Sequence, residues 1–193
     1  MNSSAATNRR EALIKLLQDQ DGDVRTAASS SLERLESAGS IDEIVQLLKE
    51  GTRAEKIRAI HALGEIGGEL VLPALTFCAS RPEEDLKVAA IDALGKVGHL
   101  SALSPLLERL QERNPPVQAR AIAAISHYRA PGLVGAIKPF LAAGDGLLDA
   151  EAALALGRIG DHTLEGRLID LLSSPHPSTR EAAAIALGLL PLS

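Results

Sequence analysis

Aromatic side chains are scarce in this 193-residue chain, which contains two Phe, one Tyr and no Trp. Sheets draw much of their stability from aromatic and β-branched residues, so the composition argues against a β-sandwich. Hydrophobic residues still make up 46% of the chain and charged residues 23%, which is the balance of a globular protein. Ala and Leu must therefore build the core, and both suit closely packed helices.

Cysteine, positive charge and long apolar runs are also scarce. The single cysteine, Cys78, cannot form a disulfide within the chain, which suits a reducing compartment. The net charge is −5 and neither half of the chain is basic, so we expect no nucleic-acid partner. No stretch approaches the roughly 18 apolar residues of a membrane span, and the first residues lack the apolar segment of a signal peptide. We expect a cytoplasmic protein with no membrane partner.

One short phrase recurs at a fixed interval. ALGEIGG begins at 62, ALGKVGH at 93, ALGRIGD at 155 and ALGLLPL at 186, which are spacings of 31 or twice 31 residues. The copies required at 124 and 31 read AISHYRA and SLERLES, and both keep the apolar skeleton. Six units then follow a polar tail at 1–7 and form a single domain over 8–193. Their bounds are 8–38, 39–69, 70–100, 101–131, 132–162 and 163–193.

The aligned units share apolar columns. One column is alanine throughout: Ala28, Ala59, Ala90, Ala121, Ala152 and Ala183. Further apolar columns lie four and seven residues later, which is the spacing of one helix face. An earlier column marks a second helix in each unit: Leu13, Ile44, Leu75, Leu106, Ile137 and Leu168. Self-similarity at this period predicts an all-α fold, a right-handed α-solenoid of six helix-turn-helix repeats with twelve helices.

Capping residues and glycines predict where these helices begin and end. Five pairs have the spacing of a capping box: Asn8–Glu11, Ser40–Glu43, Thr52–Glu55, Ser80–Glu83 and Ser178–Glu181. Asn114 before Pro115 predicts a further N-cap. Gly67, Gly98 and Gly160 are expected to end second helices in the left-handed conformation. A second set lies in the last helical turn, where we expect a neighbouring helix to pass too closely for a β-carbon: Gly64, Gly95, Gly157 and Gly188.

Three segments carry a family resemblance: DGDVRTAASSSLERL (21–35), DLKVAAIDALGKVG (85–98) and STREAAAIALG (178–188). They resemble the HEAT-like repeat first noted in phycobilisome lyase subunits. The resemblance implies a protein-binding scaffold whose second helices line a concave wall. It also implies that the basic residue after the valine reaches acidic turn residues and braces neighbouring repeats. The matching column here is Arg25, Lys56, Lys87, Gln118, Asp149 and Arg180.

Patterns typical of catalysis or metal binding are not evident. None of the five histidines has a His or Cys at i+3 or i+4, and the chain contains no His-Glu dipeptide, so we expect no metal site. No Ser/His/Asp or Cys/His arrangement points to catalysis. Cys78 shares an apolar column with Leu16, Leu47 and Leu171, which predicts a place in the core. We therefore expect no enzymatic activity and no cofactor.

Three columns point away from the apolar stripe and are expected on the concave face. Their distinctive side chains are Arg58, His61, Glu65, Asp92, Lys96, Arg120, His127, Leu154, Arg158, Ile185 and Leu189. Charges of both signs occupy the middle repeats and large apolar groups the last two, which is typical of a protein contact. We predict a non-enzymatic scaffold that binds a helix or extended segment of another protein. The alternative is an accessory subunit of a modifying enzyme, such as a bilin lyase.

The two ends of the predicted stack differ. Solenoids need terminal repeats with polar outer faces, and the run Ser29, Ser30 and Ser31 places serine in the two columns that hold Ile60, Ile91 and Ile122 or Ala62, Ala93 and Ala124 in the inner units. The last unit shows no such replacement and carries Leu189 and Leu190 near its end. Unless the tail or another subunit covers that end, the pattern favours an end-to-end homodimer through the C-terminal repeat.

Overall fold

The computed structural model describes residues 3–130 and 132–191, with side chains from residue 7 onward except at 37 and 38. Over these residues the chain is helical throughout and contains no β-strand. It divides into two compact units, Met1–Gly51 and Thr52–Ser193. The prediction of an all-α repeat protein is confirmed.

The first unit consists of two helices, α1 (Ser3–Leu16) and α2 (Gly22–Glu50). Asp21 caps α2, since its carboxylate accepts hydrogen bonds from the backbone N–H groups of Asp23 and Val24. The Arg25 guanidinium donates to the carbonyls of Asp19 and Gln20, at 2.7 and 3.0 Å. These contacts fix the turn between the two helices.

Helix α2 runs through the predicted boundary at 38–39. Three other second helices end at a glycine of one column, Gly67, Gly98 and Gly160, and the equivalent residue in this unit is Glu36. Glutamate does not readily take a positive φ, so the helix continues. The N-caps predicted at Asn8 and Ser40 are therefore wrong, since both residues lie inside helices. The predicted polar tail at 1–7 is helical from residue 3 onward.

The second unit contains nine α-helices within its described residues. They are α3 (Arg53–Ile66), α4 (Leu72–Ala79), α5 (Glu84–Val97), α6 (Leu103–Arg109), α7 (Pro115–Ile125), α8 (Leu133–Ile137), α9 (Leu148–Ile159), α10 (Glu165–Leu171) and α11 (Pro177–Leu189). A 3₁₀ segment flanks each first helix after α3: Glu69–Val71, Leu100–Ala102, Lys138–Ala142 and His162–Leu164. The second unit thus consists of helix α3 followed by four helical hairpins, α4–α5, α6–α7, α8–α9 and α10–α11. The count of six repeats stays a prediction, because α2 shows no break where the second repeat was to begin.

Helix ends in the second unit follow the predicted chemistry at five of seven positions. Thr52 forms a reciprocal capping box with Glu55, and the Asn114 side chain accepts from the N–H of Val117. Gly67, Gly98 and Gly160 end their helices at φ values of 68°, 66° and 81°. The N-caps predicted at Ser80 and Ser178 are wrong, because α5 begins after Glu83 and α11 after His176.

The predicted core columns are largely buried in this unit, except the column seven residues after the alanines, where Ile66 is 42% exposed and only Tyr128 of the five members is buried. The alanine column is buried throughout, including Ala28 in the first unit. Four residues later, Leu63, Leu94, Ile125 and Leu156 are fully buried. Cys78 is also buried, as predicted, and burial raises the pKa of its thiol. Each fully buried aliphatic side chain in these columns contributes about 2 kcal/mol to stability.

Glycines bring successive second helices into close contact. A β-carbon at Gly64 would lie 3.0 Å from the Ala93 β-carbon, and one at Gly95 would lie 2.8 Å from that of Ala124. At Gly157 a β-carbon would lie 2.6 Å from the Ala186 Cα. We call each such contact a glycine–alanine joint. The predicted close approach is confirmed at these three glycines and is wrong at Gly188, where nothing lies within 4 Å.

The fourth predicted repeat, with its variant phrase AISHYRA, replaces the joint with hydrogen bonds. Ser126 stands in the glycine column, is buried, and accepts a hydrogen bond from the Arg158 guanidinium at 3.2 Å. Tyr128 is also buried, and its hydroxyl donates to the Leu94 carbonyl at 2.5 Å. Polar contacts therefore link α7 to the helices before and after it.

The column after the valine works differently from what the resemblance implies. Gln118 and Arg180, like Arg25, donate to backbone carbonyls near the end of the preceding first helix. Lys87 does reach an acidic turn residue of the next repeat, Glu112, at 2.6 Å. Asp149 is buried and its carboxylate accepts from the Ala150 N–H. The column thus mainly closes turns within single repeats.

Candidate functional site

The residues predicted for the concave wall lie on second helices of the second unit, except His127, which lies in the turn directly after α7. They form what we call the second-helix face: Arg58, His61, Glu65, Asp92, Lys96, Arg120, His127, Leu154, Arg158, Ile185 and Leu189. All are exposed except Leu154, which is half-buried. The face results from helix periodicity, because the alanine column and the joints occupy other sides of the same helices. In solenoids of this kind such a face lines a groove open to ligands.

Acidic and basic groups alternate across α3, α5 and α7. Asp92 lies near His61 of the preceding second helix and Arg120 of the following one, and both interact with its carboxylate. Burial raises the pKa of Asp92, while Arg120 and His61 act in the opposite direction. This carboxylate is exposed to water on one side and enclosed by protein on the other. A ligand that completes the enclosure would need to supply a hydrogen-bond donor.

Three further side chains of the face are used in contacts between helices. Lys96 of α5 forms an ion pair with Glu65 of α3. Arg158 of α9 donates to Ser126, the buried serine after α7. In each pair at least one side chain is exposed to water, which weakens the interaction. A ligand can therefore displace one member of the pair and bind the other. Arg58 and Arg120 interact with the charges of Glu55 and Asp92, respectively. Neither guanidinium group forms a hydrogen bond with a carboxylate of the described residues.

The last helix makes the face apolar. Ile185 is 47% exposed and Leu189 is 49% exposed on α11. Leu154 of α9, expected to be equally exposed, is half-buried and contributes only part of its side chain. The apolar end of the face therefore consists of two side chains rather than three.

Sequence reasoning missed a groove in the first unit. It has a volume of about 490 Å³ and is lined by Arg9, Ala12, Leu13, Ser31, Arg34 and Leu35. A signal was present, since Arg9 aligns with Val71, Ala102, Leu133 and Leu164, which are all buried. An arginine at a position that is otherwise buried against a neighbouring repeat indicates that no repeat packs on this surface.

The described residues offer little for metal chemistry. No group of three or more His, Cys, Asp or Glu side chains within them is arranged to hold a metal ion. None of their helices combines the length and the apolar character needed to cross a bilayer. Burial and a raised pKa also make Cys78 a poor nucleophile.

Comparisons with known proteins agree with this architecture. One similar structure is the complex of CpcE and CpcF of phycocyanin lyase from Nostoc sp. PCC7120. It is 15% identical, with a TM-score of 0.65 over 77% of this chain and 98% of that one. Another is a designed armadillo repeat protein in complex with the peptide (KR)4, at 19% identity and a TM-score of 0.56 over 93% and 98% of the two chains. At these identities the likeness shows the fold alone.

A third similar structure is a designed armadillo repeat protein, 20% identical, with a TM-score of 0.54 over 93% of this chain and 99% of that one. None of the curated proteins compared with the chain matches it in sequence. The model of HEAT repeats, in contrast, matches residues 10–86, 75–146 and 136–192. Together these segments span nearly the whole sequence, and the chain belongs to the HEAT repeat family.

Proposed function

We propose that the chain is a non-enzymatic scaffold whose second-helix face binds a helix or extended segment of another protein. The observation that carries this proposal is the gradient along that face. Exposed charges of both signs occupy α3, α5 and α7, and Ile185 and Leu189 expose about half their surface on α11. Apolar side chains beside a polar surface are typical of protein contacts. The structural neighbours in complex with a protein or a peptide support the same class of partner.

Site-specific photocrosslinking tests which surface is used. A benzophenone amino acid replaces Lys96 or Arg120 on the second-helix face, and as a control it replaces Ser104 or Arg167, which are exposed on first helices. After irradiation in lysate of the source cells, we expect adducts of one defined mass from the first pair. Adducts from the first-helix positions alone would contradict the proposal.

The two ends of the face should contribute unequally once a partner is in hand. Buried apolar anchors usually carry more binding energy than exposed charges. Ile185→Asp or Leu189→Asp is expected to weaken binding at least about 30-fold, equivalent to about 2 kcal/mol. Arg58→Ala should weaken it only about threefold. Titration calorimetry with the purified partner measures both, and the reverse ranking would refute this part of the proposal.

The mixed charge of the face also bears on nucleic acids. Tight binding needs several cations placed against phosphates, whereas here Glu65 and Asp92 lie among Arg58, Lys96 and Arg120. We expect no mobility shift of duplex or single-stranded DNA with low-micromolar protein at about 0.15 M salt. A shift under these conditions would place the chain in a different class of binding protein.

The second candidate is an accessory subunit of a modifying enzyme such as a bilin lyase. The similarity of the fold to the phycocyanin lyase complex favours it. Such a subunit would hold an acceptor protein on the same face. Bilin added to the chain together with a purified phycobiliprotein subunit tests this role. A covalent visible absorbance that depends on the chain supports it, and no dependence leaves the scaffold proposal in place.

A further inference from the structure

The contact between successive second helices has two halves, a glycine and an alanine. Gly157 receives Ala186 so closely that any β-carbon would overlap it, and Gly64 and Gly95 receive Ala93 and Ala124 in the same way. The two halves are 29 residues apart in each case. The same interface is therefore repeated along the second unit. The 29-residue spacing then identifies any glycine or small residue of this pattern that has no partner within the chain.

The unmatched glycine is Gly188 of α11. Nothing lies within 4 Å of where its β-carbon would be. On the same side of the helix Ala184 is exposed, although its column is fully buried in the earlier second helices at Ile60, Ile91, Ile122 and Ala153. Leu172 is 39% exposed, whereas Leu110 and Leu141 in its column are 3% exposed. We call Leu172, Glu181, Ala184 and Gly188 the tail face.

Glu181 gives this tail face one negative charge. Its column is otherwise uncharged, with Ala119 and Ala150 buried at the equivalent places. The expectation that the last unit lacks any polar replacement is therefore wrong, and the face combines small, aliphatic and acidic side chains.

Ser31 of α2 is a small residue of this register without a glycine partner, as are Ala62 and Ala155, whose register partners are Glu33 and Ser126. It aligns with Ala93, Ala124 and Ala186, the residues that enter a glycine. Ser31 lines the groove of about 490 Å³ in the first unit, beside the aliphatic side chains of Leu13 and Leu35 and the exposed guanidinium groups of Arg9 and Arg34. We call this surface the head groove. It combines a small residue, aliphatic walls and positive charge.

We propose that the chain associates head to tail, with the tail face of one copy seated in the head groove of a second copy. Serine is little larger than alanine and fits at Gly188. The walls of the groove accept Leu172, and its two arginines face Glu181. Pairing of like ends is disfavoured, since tail-to-tail contact brings two carboxylates together and head-to-head contact brings four guanidinium groups together. A heterologous contact of this kind leaves one head and one tail free, so further copies can add.

Light scattering after size exclusion provides the first test. The chain has a mass of 20.2 kDa. Because Glu181 and Ser31 keep both surfaces partly polar, we expect a dissociation constant of order tens of micromolar. The mass should rise continuously between about 1 and about 300 µM protein. A constant monomer mass over this range would overturn the proposal.

Two blocked copies provide the decisive test. Gly188→Trp blocks the tail and Ser31→Trp blocks the head, and neither side chain enters the core. Each variant alone should remain a monomer, while their equimolar mixture should form a dimer and nothing larger. Gly166→Trp, at another open helical glycine, should associate like the unaltered chain. Circular dichroism checks the helix content of each variant.

The remaining outcomes also decide the matter. If Ser31→Trp alone still dimerises, the contact is tail to tail and the proposal is wrong. If the mixture stays monomeric although each variant is folded, the proposal is equally wrong. Charge exchange adds a check, since Glu181→Arg should abolish association and Arg9→Glu with Arg34→Glu should restore it. These positions lie outside the second-helix face, so the test is independent of partner binding.

Discussion

The two units of the chain share one 31-residue pattern and use it differently. In Thr52–Ser193 three of the four pairs of successive second helices meet at glycine–alanine joints, and the column between them is fully buried at Ile60, Ile91, Ile122 and Ala153. In Met1–Gly51 the same columns hold Ser29, Ser31 and Glu33, and the glycine that would end the helix is Glu36. The alanine column is buried in both units. Periodicity thus specifies that helices form, and the joint residues specify that one repeat stacks on the next.

The largest effect is expected at a joint. Gly157→Ala places a β-carbon 2.6 Å from the Ala186 backbone, so the helices must separate, at a cost of about 2 kcal/mol in the free energy of unfolding. Gly188→Ala is the matched control, because its β-carbon meets nothing, and helix propensity should stabilise it by up to about 1 kcal/mol. Urea denaturation at about 1 µM protein measures both. Equal effects at the two glycines would remove the distinction between joints and open ends.

The next effect concerns the repeat that has no joint. Removing the Tyr128 hydroxyl with Tyr128→Phe leaves the buried Leu94 carbonyl without its side-chain donor and should cost about 1 kcal/mol. Leu35 occupies this column in the first unit, so no such bond exists there. Thermal unfolding of the variant measures the loss. An unchanged midpoint would show that the bond does not replace the joint.

The same tyrosine predicts a pH dependence. Burial raises the pKa of Tyr128 to about 12 from 10.0, although the nearby backbone N–H of Gly98 acts in the opposite direction. Since the folded-state pKa is raised, the stabilisation is fully present below about pH 10 and is lost as the pH rises through about 12. The chain has one Tyr and no Trp, so absorbance at 295 nm reports this group alone. A midpoint near pH 10 in the folded protein would contradict the buried position.

The smallest effects on stability are expected for two ion pairs between repeats, which differ in their exposure to water. Lys87 and Glu112 are 14% and 24% exposed, whereas Lys96 and Glu65 are 56% and 67% exposed. Lys87→Ala should therefore cost about 1 kcal/mol, because it leaves a partly buried carboxylate with one cation fewer. Lys96→Ala should change stability by less than about 0.5 kcal/mol. Chemical denaturation at low and high salt distinguishes them, and a larger loss at Lys96 would reverse the assignment.

Much of the fold could be predicted from sequence because the determining residues are local. Gly67, Gly98 and Gly160 each end a helix through their own backbone conformation. Glycine is needed at 64, 95 and 157 because the residue 29 positions later in the chain packs directly against it. The polar caps were less predictable. Ser40 lies inside α2 because the position at which Gly67, Gly98 and Gly160 end other second helices is Glu36 in this unit, and Gly39, directly before the serine, stays helical.

The site was only partly predictable for a related reason. Column position placed ten of the eleven proposed residues on the exposed surface, but it could not show that α9 would half-bury Leu154. Nor could it show that Lys96 and Arg158 are engaged by Glu65 and Ser126. Such contacts depend on side-chain conformations across repeats. The head groove could not be predicted from the shared columns, because its lining residue Arg9 departs from a column that is buried at Val71, Ala102, Leu133 and Leu164.

Native-state hydrogen exchange tests the central claim, that joints rather than the period hold the repeats together, most directly. The account predicts that amides of α5, α7 and α9 exchange slowest and together. Those of α1 and α2 are predicted to exchange much faster, although α2 is the longest helix described. Slow exchange of α2 at the rate of α5 and α9 would contradict the claim.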